Sequence, residues 1–251
     1  MDLPTSFLNG ESLTLSTDAG PAAQFGTPIR SGVLFQDNLE TEVHAGDHAA
    51  ADFFFEATGS REESRVQLRG GAELVTGAYG GRTDQGLAFR VDVGDESLYG
   101  VTAPVMTREA LAALLSSAGI GRHRGRVRLR PAGAVSWSPH RTQDIAVTAA
   151  DDSGHSILID VRRARRERRS VQAQSGRRVR GGHLSRSDPT ERVHVILEAP
   201  DVVAYGLPTT EDDLDLAVQV LADVVIDVEP EAPSPAEEPS PAGEPSPEES
   251  P

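Results

Sequence analysis

Apolar and polar positions alternate along much of this chain. Leu87, Phe89, Val91 and Val93 are interleaved with Ala88, Arg90 and Asp92, a period of two that predicts a strand with one buried face. Shorter runs at Val33–Phe35, Thr41–His44, Arg65–Arg69, Glu73–Thr76, Ser156–Val161 and Val193–Leu197 read the same way. Asp52–Glu56, with its three consecutive phenylalanines, reads as a strand covered on both faces. Further on, Arg126, Arg128 and Arg130 fall on one side of a strand, with Val127 and Leu129 on the other. Pairs such as Gly70–Gly71 and Gly80–Gly81 supply turns.

Two segments carry a helical period instead. Thr107 suits an N-cap, Leu111, Leu114, Leu115 and Ala118 share one face, and Gly119 suits the stop. A second helix is predicted to start at Thr209 or Thr210. Glu211, Asp212 and Asp213 lie in its first turn, at the positive end of the helix dipole. Its stripe is Leu214, Ala217, Val218, Leu221, Val224 and Val225.

The elements recur at an offset of about 104 residues, the sign of an internal repeat. Glu42–Glu56 matches Ala146–Asp160, Phe89–Val93 matches Val193–Leu197, and Tyr99–Leu111 matches Tyr205–Leu214. An Arg-Gly-Gly precedes each pair (Arg69–Gly71, Arg180–Gly182) and reads as a β-turn. Trp137, the single tryptophan, aligns with Phe35 and is expected in the core. The predicted class is α+β, mainly antiparallel β: two tandem copies of a multi-strand unit, each closed by one helix, plus a disordered acidic tail. The expected organisation is a loose or partly paired leading segment (1–30), copy one (31–121), copy two (122–228) and a Pro/Glu/Ser tail (229–251). Pro-Ser-Pro repeats with glutamate bury too little apolar surface to fold.

The chain has no cysteine, which excludes disulfides and thiolate metal sites. The amino terminus has neither a basic nor an apolar signal region, and no apolar run has the length of a membrane span. A cytoplasmic protein with no membrane contact is expected. Charge is strongly partitioned. Residues 1–121 hold 17 acids and 7 arginines, residues 122–192 hold 7 acids and 17 arginines, and residues 193–251 hold 15 acids and no base. Every basic residue is arginine.

Candidate chemistry is sparse. His44 and His48 flank Asp47, and Asp52 follows; two imidazoles four apart on a helix would make a metal pair. Gly46 and the neighbouring strands predict a solvated hairpin turn instead, so these three are weak metal candidates. No nucleophile elbow or phosphate loop is present, and no cofactor is expected. The arginine block stands out: Arg162, Arg163, Arg165, Arg166, Arg168 and Arg169, then Arg177, Arg178 and Arg180. The matching part of copy one (Ala57–Gly71) has only Arg61, Arg65 and Arg69, so the block reads as a hairpin that grew and changed sign in one copy. Such a block contacts phosphates, meets an acidic protein surface or another subunit, or is a solvated face partly neutralised by the chain's own acidic tail. The leading expectation is a non-enzymatic binding or assembly protein that contacts an acidic partner, or itself, through this hairpin. The alternatives are a polyanion or nucleic-acid binder moderated by the tail, and an enzyme with an unrecognised site.

Overall fold

The computed structural model describes residues 1–18, 23–164, 176–187 and 193–229. In chain order its elements are β1 (Asp2–Ser6), β2 (Ser12–Ser16), β3 (Gln24–Phe25), β4 (Ile29–Gln36), β5 (Leu39–Asp47), α1 (His48–Ala57), β6 (Ser64–Gln67), β7 (Glu73–Ala78), β8 (Leu87–Val93), β9 (Glu96–Val101), α2 (Arg108–Ser117), β10 (Ile120–His123), β11 (Arg126–Leu129), β12 (Ser136–Trp137), β13 (Asp144–Ala150), β14 (Ser156–Arg163), β15 (Arg177–Val179), β16 (Gly182–Arg186), β17 (Val195–Glu198), β18 (Val202–Pro208), α3 (Leu214–Asp223) and β19 (Val225–Glu229). The chain is mainly antiparallel β with three α-helices among the described residues.

Among the described residues, one 14-stranded sheet dominates. Outward from its centre the order is β4, β5, β9, β8, β7, β6 on one side and β13, β14, β18, β17, β16, β15 on the other. The two halves meet at the β4–β13 pair, which is short: Ser31 lies opposite Asp144, Arg30 opposite Ile145 and Ile29 opposite Ala146.

Strand alternation makes the sheet two-faced. One face is apolar and carries both cores. Val43, Ala45, Leu98, Val91 and Leu74 lie under Leu111, Leu114 and Leu115 of α2. Ile145, Val161, Ile159, Ala204 and Leu197 lie under Ala217, Val220 and Leu221 of α3. Thr107 caps α2 by accepting the Ala110 N–H at 3.2 Å. Gly119 follows in the left-handed region (φ 59°), where an added Cβ would stand 2.5 Å from the Arg130 carbonyl oxygen. Ahead of α3, Thr210 and Asp213 form a capping box around a short 3-10 turn.

The other face is polar, and α1 packs over its first half. The Phe54 ring lies 5.2 Å from that of Tyr99 and 5.9 Å from that of His44.

Several expectations are corrected. Asp52–Glu56 is helical rather than a strand: Asp47 accepts the Ala50 N–H at 2.8 Å, and the strong helix formers Ala49–Ala51 follow. The turn expected around His44–Asp52 is therefore a strand running into a capped helix, and Phe53 is 70% exposed on its outer side. The matched stretches Glu42–Glu56 and Ala146–Asp160 fall on different elements, β5–α1 and β13–β14. Trp137 is the partner of Leu34 in the β12–β4 pair and packs, partly buried, against the first core.

Of the two expectations for the leading segment, pairing is what its described residues show. β1, β2 and β19 form a 3-stranded sheet, and Phe7, Leu8, Leu13 and Leu15 are buried. The boundary expected at residue 31 falls inside β4, and the one at 121–122 falls inside the β10–β11 hairpin. Each Arg-Gly-Gly does make a turn, between β6 and β7 and between β15 and β16. The acidic tail from Pro230 onward lies outside the described residues.

Candidate functional site

The described arginines of the block are split across the sheet. Arg162 and Arg163 end β14, whereas Arg177 and Arg178 lie on β15 at the sheet edge, with β18, β17 and β16 between them. β14 and β15 thus stand four strand spacings apart, about 19 Å. Arg165, Arg166, Arg168 and Arg169 lie outside the described residues.

Three of the remaining arginines are tied into the fold. Arg162 donates through Nε to Asp160 Oδ2 at 2.9 Å and stands 5.0 Å from the centre of the Tyr205 ring. Arg163 donates to Glu11 Oε1 at 3.0 Å, fastening β14 to the β1–β2 turn. Arg180 pairs with Asp18.

Arg177 has a different setting. It lies opposite Leu184 on β16, while Arg186 lies opposite Val195 on β17. The two arginines and both apolar residues line, with Ser185 and Val218 of α3, a cleft of about 370 Å³ on the apolar face. Neither guanidinium takes part in an ion pair among the described residues. A cleft with an apolar floor and two fork-shaped cationic donors suits a carboxylate carried next to apolar groups. Arg178, one residue on, lies on the opposite face beside His183.

On the polar face a row of charged and hydroxyl groups crosses the β4–β13 joint. His44 Nδ1 lies 2.9 Å from Ser31 Oγ, and its Nε2 is 3.7 Å from Glu42 Oε1. Burial lowers the His44 pKa below the ordinary imidazole value, against the pull of Glu42. Ser31 lies opposite Asp144, and Asp144 opposite Arg162. The Asp144 carboxyl is pushed up to about 6, first by burial and then by the charge of Asp160, against Arg162 and the Ser31 hydroxyl. Sequence reasoning missed this row, although one signal was present: Asp160 is an acid inside an apolar strand.

The weak metal candidates separate into two networks. His44 belongs to the row just described. His48, the first residue of α1, approaches Ser97 Oγ at 2.8 Å and the Gly94 carbonyl at 3.0 Å. Arg90 bridges Asp52 of α1 to Asp92 of β8. Ser97 donates to Asp92 at 2.6 Å; against burial, this bond and Arg90 hold the Asp92 carboxyl below its ordinary pKa. This network fastens α1 to β8 and β9. Among the described residues no group of three histidines or carboxylates is placed to hold a metal ion.

No helix among the described residues is long and apolar enough to cross a membrane. Comparison with family models, with curated proteins and with solved structures finds no match for this chain.

Proposed function

We propose that this chain is a non-enzymatic binding or assembly protein that engages an acidic protein segment at the outer edge of its sheet. The observation that carries the reading is the cleft in which Arg177 and Arg186 flank Leu184, Val195 and Val218. An apolar floor favours a polypeptide with apolar side chains next to its carboxylates over a phosphate backbone, which offers the arginines charge alone. The charge asymmetry of the sequence, basic over residues 122–192 and acidic elsewhere, also makes a second copy of the chain a natural source of such a segment.

We also read the two halves of the sheet as copies of one unit. Support comes from their strand order outward from the β4–β13 joint and from the helix that follows the last long strand of each, α2 after β9 and α3 after β18. On this reading the arginine cleft is a feature that one copy acquired.

Fluorescence anisotropy with a labelled peptide of alternating glutamate and leucine tests the proposal, with a glutamine–leucine peptide and single-stranded DNA as comparators. The acidic peptide is expected to bind best, and Arg177→Glu with Arg186→Glu to weaken it at least about tenfold, the loss of roughly 1.4 kcal/mol. Equal binding by the double variant would end the proposal. Tighter binding of DNA would favour the polyanion reading instead.

A further inference from the structure

Granted the arginine cleft as the binding site, on which this rests, we infer that the acidic segment is held there as a further strand of the sheet, added along the outer side of β15. Its backbone bonds to the sheet edge in extended form, and its side chains reach the cleft from there.

The free edge follows from the register. β15 ends the strand order of the 14-stranded sheet, and among the described residues only β16 pairs with it. Val179 stands opposite Gly182 across a turn of two residues, Arg180 and Gly181. A turn that short makes Val179 and Gly182 a pair that exchanges both backbone hydrogen bonds. Antiparallel pairs alternate, so Arg177 and Leu184 are bonded as well, and Arg178 and His183 are not. The Arg178 N–H and C=O therefore point away from β16. Among the described residues neither has a hydrogen-bond partner.

The edge is also held in place. Arg180 pairs with Asp18, and an added Cβ on Gly181 would stand 2.2 Å from the Val224 carbonyl oxygen, so the turn sits tightly against the end of α3. Val179 packs against the core beneath that helix. A partner thus meets a strand that is already ordered, and binding costs less conformational freedom than it would on a loose segment.

Charge selects the partner. An open edge pairs with other strands unless its side chains prevent it. Arg177 and Arg178 are both exposed, lie on opposite faces, and join no ion pair among the described residues. They repel a basic strand and attract an acidic one on either face. An added strand lies about 4.8 Å from β15, with every second side chain beside Arg177 at the cleft and the others beside Arg178. The far edge of the sheet has no such preference, because Arg65 of β6 is already held by Glu62 and Glu73. Of the three β15 residues only Arg178 turns its backbone outward, so the pairing is short and the cleft supplies the rest of the contact.

Amide exchange with water, read by NMR on the full-length protein, tests this. The Arg178 amide is expected to exchange fast without peptide, and at least about tenfold more slowly at saturating glutamate–leucine peptide. Two further peptides, N-methylated on every glutamate or on every leucine, each lose the amide hydrogens along one side. A strand added to a single edge uses one side. One methylated peptide is therefore expected to bind at least about tenfold more weakly than the parent, and the other within about threefold of it. Equal binding by the two methylated peptides would overturn the inference. So would an Arg178 amide protected before peptide is added, or one that stays fast at saturation. In each of these cases shifts of the Leu184 and Val195 methyl groups would leave the cleft standing as the binding site. No binding of the parent peptide would remove both.

Discussion

Arg30, wholly buried in the apolar layer, donates to the carboxylate of Glu96, and Glu96 accepts the backbone N–H of Val127 at 2.6 Å. Arg30 also donates to the Val127 carbonyl at 2.7 Å. The pair clips the β10–β11 hairpin onto the sheet beside the joint between its halves. Burial lowers the Arg30 pKa, and Glu96 opposes that shift. Removing Glu96 alone strands a buried cation, so Glu96→Ala is expected to cost about 3–5 kcal/mol. In an Arg30→Met background the same change should cost less, because no buried charge is left behind. Urea unfolding of the four proteins checks this, and equal costs in both backgrounds would show that the pair is not coupled.

His155 Nδ1 lies 2.8 Å from Asp213 Oδ1, tying the β13–β14 turn to the start of α3. The Asp213 carboxylate raises the imidazole pKa above the ordinary 6.5. This contribution is present below the unfolded value and is lost as pH rises through the folded one. An NMR titration should place the His155 midpoint above 6.5, and Asp213→Asn should bring it back down. A midpoint at or below 6.5 in the wild-type protein would contradict the contact.

α1 depends on its cap more than on its outward-facing Phe53. Asp47→Ala removes the acceptor of the Ala50 N–H and is expected to cost about 1 kcal/mol. Phe53→Ser, at an outward and largely exposed position, should change stability by less than about 0.5 kcal/mol. Thermal or urea unfolding separates the two, and a larger loss at Phe53 would mean that this side chain is covered in solution.

The contrast between α1 and α2 shows how far the chain can be read before it folds. Leu111, Leu114 and Leu115 announce α2 because a helix repeats its buried face every three to four residues. Phe53, Phe54 and Phe55 announce nothing, since three adjacent apolar residues fit a strand or a helix alike. The alternation at Leu87–Val93 marks β8 for the same periodic reason that α2 is legible. The polar row was invisible because Ser31, His44, Asp144 and Asp160 come from four strands that only the sheet brings together. The wide separation of the block's two described ends was hidden because nearness in sequence conceals the three strands between β14 and β15. Among the described arginines of that block only Arg177 lines the cleft, and its partner there, Arg186, lies outside the run.

The most direct measurement is methyl-resolved NMR of the full-length protein titrated with the glutamate–leucine peptide. The methyl groups of Leu184, Val195 and Val218, which line the cleft between Arg177 and Arg186, are expected to shift. Those of Leu111 and Leu114, on the buried face of α2, should stay in place. Shifts confined to other surfaces, or no shift at saturating peptide, would contradict the assignment of this cleft as the binding site.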